Sequence, residues 1–250
     1  MTFTFGAGEV ATVLVAFARI GGIVMLLPGV GDESVAPRAR LLIALGLTLV
    51  LLPGAAISLP DQIAAVPLGL MARELAIGLA FGAMARIIFL ALASAGGIIA
   101  LQSGLASAMM FDPAGGGQNA AIGRLLSLAG IVALFAANMH HAAIAGIAKS
   151  YELFPAAGPL PVDDILRGGI AAVAQSFAIA VQLAAPFLLF GLILNLGLGF
   201  MARLAPTIQV FFIAQPLSIL AAFALLATTI GLILTLFVGA VRDGLAGLFG

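Results

Sequence analysis

The sequence predicts an all-α integral membrane protein built from about six hydrophobic blocks that form helical hairpins, several of them broken by Pro or Gly. Two observations carry that expectation. Of 250 residues 63% are hydrophobic and 8% charged, with a mean hydropathy of +1.27, whereas soluble domains carry about a quarter charged residues. Charge-free runs also recur along the chain, each at least as long as the ~20 residues a helix needs to cross a bilayer. A water-soluble globule is thereby excluded. Ten Lys and Arg balance ten Asp and Glu, so there is no electrostatic footprint for nucleic acid and no polybasic patch for a membrane surface. The absence of Cys excludes disulfides, thiolate nucleophiles, iron–sulfur clusters and Cys-ligated zinc.

The first block, about 9 to 28, lacks the basic leader of a secretory signal and carries Glu9 ahead of its apolar run, so it reads as mature chain, interrupted by Arg19. After GVGDESVAPRAR a second block runs from Leu41 to Pro60 without a charge. A third covers 63 to 90, holds Arg73, Glu74 and Arg86, and continues charge-free from Ile87 to Phe111. The loop DPAGGGQNAAIGR precedes a block from Leu125 to Ala148, and 149–167 is a polar, net acidic excursion with three Pro. The last two runs, 168–202 and 204–241, are free of charge over 35 and 38 positions, too long for one simple crossing. Each is expected to fold back as a hairpin, at Pro186, LNLGLGF (194–200), Ala205-Pro206 or Gln215-Pro216. No repeat or appended soluble segment emerges, so 1–250 reads as a single domain.

The relation to lipid is unusual. Trp is absent and Tyr151 is the one Tyr, so the aromatic belts that mark membrane interfaces are missing. Arg38 and Arg40 are offset by Asp32 and Glu33, which leaves the positive-inside bias nearly silent.

Several constellations could carry function. Glu74, Gly78, Gly82 and Arg86 recur every four residues and form one helical stripe. Its glycines admit another backbone, with the charges satisfied by a neighbouring subunit, and the alternative is the lining of a conduit. Arg73 points about 100° from Glu74, which argues against a side-by-side pair. Arg203 is a further charge in apolar sequence for which a partner must supply the counter-group. Gln102, Gln175, Gln182, Asn195, Gln209 and Gln215 place amides in apolar sequence, for assembly or for a polar conduit. His140 and His141 lie 100° apart and cannot clasp one metal as an i, i+4 pair does; no catalytic, cofactor or phosphate-loop motif occurs. In residues 104–124, Met109, Met110 and Phe111 end an apolar stretch, Asp112-Pro113 breaks it, and Gly115, Gly116 and Gly117 follow. This is either a connecting loop or a deformable hydrophobic stopper, since Met fits irregular gaps.

Several of these motifs coincide with one family. Arg19 with Pro28, Ala36-Pro37-Arg38, RELAIG (73–78), AGGIIALQSGLASA running into Asp112-Pro113, Asn138 with His140, LNLGLGFMARLAP (194–206, ending at Pro206) and QVFFIAQP (209–216) resemble the FliR/SctT family over essentially the whole chain. Its members are flagellar type III export-gate membrane subunits and their injectisome counterparts. The resemblance implies one copy of this subunit with several FliP and FliQ copies in a helical pore complex beside FlhB. The complex stacks its hairpins spirally, stands raised from the plane of the inner membrane and passes unfolded flagellar proteins. It also implies that 104–124 plugs the pore. A secondary transporter with discontinuous helices is the rival reading, but two related halves are not detected. An intramembrane enzyme built on the two His is a third.

Overall fold

A computed structural model describes residues 7–53, 68–104, 118–156, 158–204 and 210–249. All regular structure among them is helical: α1 (Ala7–Leu26), α2 (Pro37–Leu51), α3 (Leu68–Phe89), α4 (Ala91–Gln102), α5 (Gln118–Ala136), α6 (Met139–Leu153), α7 (Val162–Leu204) and α8 (Val210–Phe249). Among the described residues three helical stretches are each long and apolar enough to cross a membrane: Leu68–Gln102, Val162–Leu204 and Ala214–Leu248. The protein is an all-α membrane protein.

Local chemistry moves several boundaries from their expected places. The second block begins at Pro37, whose fixed φ suits the first helical turn, and its helix ends at Leu51. The fourth block is two helices whose axes turn by 76°. The turn sits at Asn138, which adopts φ 57° and ψ 24°, the left-handed region that Asn tolerates better than most residues. The polar excursion is shorter than the composition implied, because α6 runs on to Leu153 and α7 starts at Val162, with Asp163 and Asp164 in the first turn facing the positive end of the helix dipole.

The two long runs do not fold back on themselves as expected. Each is a single helix, of 43 and 40 residues, with Pro186 and Pro216 inside and LNLGLGF helical throughout. In apolar surroundings a broken helix exposes backbone groups with nothing to bond, so an interior Pro is tolerated where it would end a soluble helix. Ala205 and Pro206 lie outside the described residues.

The chain forms two compact units, and α7 and α8 contribute residues to both. The first comprises Met1–Ile88, Asn138–Ala174 and Arg242–Gly250. Its core joins Ile20, Ile23 and Val24 of α1, Ala44 of α2, Ile77 and Phe81 of α3, and Ile147 and Tyr151 of α6. The second comprises Phe89–Ala137 and Gln175–Val241. Leu92 and Ile99 of α4, Leu126 of α5, Leu183 and Phe187 of α7, and Ile233 and Phe237 of α8 are buried in it.

Within the first unit α1 and α3 meet backbone to backbone. A β-carbon on Gly78 would run into the carbonyl oxygen of Arg19, and one on Gly82 would stand 2.9 Å from that of Ile23. On the opposing helix, a β-carbon on Gly22 would stand 3.0 Å from the nitrogen of Leu79. Gly78→Ala should therefore cost about 1–3 kcal/mol, the usual penalty of overpacking. Gly97→Ala in α4, where nothing lies within 4 Å, should be neutral or stabilise by up to about 1 kcal/mol through helix propensity. Melting of the two variants in detergent measures both; equal melting temperatures would contradict the seam.

Candidate functional site

A buried ion cluster stands at the centre of the first unit. Arg19 of α1 and Glu74 of α3 are fully buried, and Arg19 Nε donates to Glu74 Oε2 at 2.6 Å. The other carboxylate oxygen, Oε1, accepts from Arg73 Nη1 at 2.5 Å. Arg19 spends its remaining nitrogens on the end of α6: Nη1 donates to the carbonyl of Ser150 at 2.9 Å and Nη2 to that of Phe154 at 2.8 Å. This is the negative end of the α6 dipole, where a cation is favoured. Its guanidinium also lies over the Tyr151 ring, 4.1 Å from the centroid, while the Tyr151 hydroxyl donates to the carbonyl of Ala16 at 3.2 Å. Arg73 Nη2 reaches the carbonyls of Pro155 at 3.3 Å and Pro159 at 3.0 Å, which fixes the short link between α6 and α7. One carboxylate thus holds two guanidinia, backbone carbonyls take up Arg19 Nη1 and Nη2 and Arg73 Nη2, and the buried Arg73 Nε has no partner among the described residues.

Two expectations are corrected by this geometry. Glu74 receives its counter-groups from inside the chain, not from a neighbouring subunit. Arg73 and Glu74 do pair despite the 100° between them, because the arginine chain turns back while its outer nitrogen is anchored on Pro155 and Pro159. Arg86, at the far end of the stripe, is part-exposed and 3.8 Å from Asp32. The stripe of Glu74, Gly78 and Gly82 is therefore the seam with α1. Arg19 and Tyr151 were absent from the predicted site residues. The available signal for Arg19 was its charge in an apolar run, which requires an anion from another run.

In the second unit a polar joint surrounds the end of α4. Gln102 lays its carboxamide against Gly191 of α7, and Gln215 of α8 donates from Nε2 to the carbonyl of Gly104 at 2.6 Å. Ser103 and Ser218 are buried beside these groups in sequence, with Ser103 Oγ donating to the Ala100 carbonyl at 2.9 Å and Ser218 Oγ to that of Gln215 at 2.7 Å. Gln175 Nε2 reaches the Ala240 carbonyl at 3.5 Å.

The end of α7 has a different character. From Leu192 to Leu204 no residue is buried, and Leu192, Ile193, Leu196, Phe200, Met201 and Leu204 are each more than half exposed. Thirteen consecutive positions go round every side of a helix, and only Leu194 and Leu198 among them are part-buried, so an apolar rod of more than three turns is left largely uncovered by the described residues. Asn195 and Arg203 are exposed on it, and a β-carbon at Gly197 or Gly199 would meet nothing within 4 Å. Met109, Met110, Phe111, Asp112, Pro113, Gly115, Gly116, Gly117 and Pro206 lie outside the described residues. Among the described residues no three His, Cys, Asp or Glu side chains come together in a way that could hold a metal ion. The ring centroids of His140 and His141 lie 4.1 Å apart, with the planes tilted by 40°.

Removing one partner of a buried ion pair costs about 3–5 kcal/mol, whereas replacing both by apolar side chains is often neutral. Glu74→Ala should accordingly leave Arg19 and Arg73 unbalanced and sharply lower melting temperature and recovery. The triple variant Arg19→Met, Arg73→Met and Glu74→Met, which removes all three charges, should regain more than half of that loss. Melting of single and triple variants checks this, and a triple variant no more stable than Glu74→Ala would show that the charges are not coupled.

The profile of the family described as Bacterial export proteins, family 1, matches residues 10–244. The flagellar biosynthetic protein FliR of Caulobacter vibrioides is 37% identical over 227 residues, covering 90% of either chain. FliR of Escherichia coli K12 is 26% identical over 215 residues, 86% of this chain and 82% of its own length. The Yop proteins translocation protein T of Yersinia pestis is 31% identical over 150 residues, 59% of this chain and 58% of its own. The chain belongs to the bacterial export proteins of family 1, as a membrane component of an export apparatus of the flagellar kind.

Proposed function

We propose that this protein is a pore-forming subunit of the flagellar type III protein-export gate, which passes unfolded flagellar proteins across the inner membrane for flagellum assembly and performs no enzymatic chemistry. The observation that carries the reading is the uncovered apolar end of α7 on a helix too long for lipid. The 35 charge-free positions of α7 span about 52 Å at 1.5 Å per residue. A hydrocarbon core of ~30 Å could contain them only at a tilt of about 55°, outside the ~0–40° that membrane helices adopt. Protein partners satisfy the remainder. In this reading they are FliP and FliQ, stacked spirally with this chain and joined by FlhB, and residues 1–250 act as one export-gate domain. The flagellar assignment is favoured over the injectisome one because similarity to FliR of Caulobacter extends over 90% of the chain and that to the Yersinia translocation protein over 59%.

A pore that admits an unfolded chain leaks ions unless something fills it at rest. Hydrophobic constrictions exclude water and hence ions. Residues 104–124 are assigned to this task, with Met109, Met110 and Phe111 as the apolar surface, Asp112-Pro113 ending it, and Gly115 to Gly117 as its hinge. The exposed Asn195, Arg203 and the part-exposed Arg86 then serve contacts with partners.

The test uses the assembled complex. Co-expression with the two small hydrophobic partners should yield one stable heteromeric particle, and deleting Met110 to Gly117 should leave its recovery intact while ion conductance in vesicles rises above that of the wild type, as expected for removing a dewetted constriction. Wild-type conductance in a fully assembled deletion variant would take the stopper role away from this segment. Failure to form any heteromeric particle, with uptake of a small solute by the chain alone, would overturn the gate reading itself.

A further inference from the structure

α2 turns outward a face of a different kind from the end of α7. A narrow stripe of Ala44 and Thr48, with the part-buried Leu47 and Leu51, packs into the first unit. Around the rest of the helix Leu41, Leu42, Ile43, Leu45, Leu49 and Val50 are exposed, and Leu42, Leu49 and Val50 are more than half so. The one polar side chain from Leu41 to Pro53 is that of Thr48, which is buried and donates from Oγ1 to the Ala44 carbonyl at 2.7 Å. The uncovered face therefore offers large aliphatic groups and no side-chain donor or acceptor.

These two properties decide between protein and lipid as its covering. Helices meet one another inside a membrane through small residues, which let backbones approach, and through polar side chains that bond across the seam. The seam of Gly22, Gly78 and Gly82 between α1 and α3 follows that rule. The end of α7 keeps to it as well, with Asn195, Gly197, Gly199 and Arg203 exposed. On α2 the rule holds for the inner stripe, where Ala44 and Thr48 lie, and fails outside, where Gly46 is the one small residue among the exposed positions 41–50. A partner helix laid there would be held off by leucine side chains and would find nothing to bond. Acyl chains need neither a close approach nor a bond.

The charges where α2 begins complete the match. Arg38, in the first turn, is exposed and makes no ion pair among the described residues, and no acidic residue shares that turn. Arg40 is committed to the turn before the helix, its Nε donating to the Val35 carbonyl at 3.0 Å. Of the two acids in the preceding loop, Asp32 is drawn to Arg86 at 3.8 Å and Glu33 is exposed. Three arginines against two acids leave this end of the unit with one positive charge in excess, carried outward by Arg38. We propose that membrane lipid, not protein, covers the outer face of α2: acyl chains lie along Leu42, Leu45 and Leu49, and Arg38 holds a headgroup phosphate, preferring anionic lipid. α2 is then the place where a subunit otherwise turned toward protein is anchored in the bilayer. The inference does not depend on what the assembly transports.

Two measurements test the two halves of the proposal. In the first, photo-crosslinking amino acids replace Leu42, Leu49 and Val50 singly in the full chain, in the membranes of cells that make it together with its partners. All three positions should give lipid adducts and no polypeptide adduct. In the second, the full chain with its partners is placed in vesicles of phosphatidylethanolamine and phosphatidylglycerol holding a trace of photoactivatable phosphatidylglycerol, and labelling of the α2 peptide is read by mass spectrometry against the other labelled peptides of the same sample. One basic side chain near an anionic lipid surface is worth about fivefold in occupancy. Arg38→Gln should therefore lower the relative labelling of α2 by about that factor, and Arg38→Lys, which keeps a point charge for the phosphate, should restore most of it. A reproducible polypeptide adduct from any of the three positions, or labelling of α2 that Arg38→Gln leaves unchanged, overturns the proposal.

Discussion

An α-helix without a charge for 35 residues is an apolar rod of about 52 Å, and a hydrocarbon core of ~30 Å covers little more than half of it. Most other features of this chain follow from that mismatch. The rod cannot lie in water, and only protein can cover what lipid does not. That is why α7 ends in thirteen positions with no buried residue, on every side of the helix, and no polar face turned outward. It also accounts for two absences in the sequence. Aromatic belts and asymmetric loop charges mark where a chain meets the two bilayer surfaces, and in the proposed gate a chain wrapped by partners would have little such surface to mark.

Apolar surroundings also dictate how the few charges are placed. Glu74 cannot be hydrated at zero exposure, so Arg19 and Arg73 come to it, and most of the donors they do not spend on the carboxylate go to carbonyls at the end of α6 and in the link that follows, Arg73 Nε being the exception among the described residues. One cluster thereby ties α1, α3 and α6 together and sets where α7 begins. Such a cluster is weak as a source of stability, because desolvation consumes most of the attraction, but any other arrangement of these helices would leave a charge unpaired. Its contribution is to make one arrangement the least costly. The second unit achieves a similar effect with neutral groups at the end of α4, where hydrogen bonds are individually weaker and more easily exchanged.

Much of the architecture was legible because lipid-facing sequence is simple: runs without charge became helices nearly where the charges stopped. Punctuation was less reliable. Pro186 and Pro216 signal breaks in soluble helices, yet here the backbone has no water to turn to and stays helical. The sharp turn at Asn138 was passed over because no Gly or Pro marks it, although the tolerance of Asn for the left-handed region was the available cue. The four-residue spacing of Glu74, Gly78 and Gly82 showed a close-packed face but not its occupant. Spacing fixes which residues share a face, whereas the occupant, α1, depends on a contact across 55 residues of chain. Arg73 was misplaced for a related reason: its direction is set by the carbonyls of Pro155 and Pro159, which no local pattern positions.

The central claim is that protein, not lipid, covers the far end of α7. Photo-crosslinking amino acids placed singly at Leu192, Phe200 and Met201, which are spread over about half the circumference of the helix at about 100° per residue, report on it directly in living cells that assemble flagella. The account predicts covalent adducts to partner polypeptides from all three positions, to the same partners in every preparation. Adducts to lipid alone from all three would contradict it and would make α7 an ordinary membrane span.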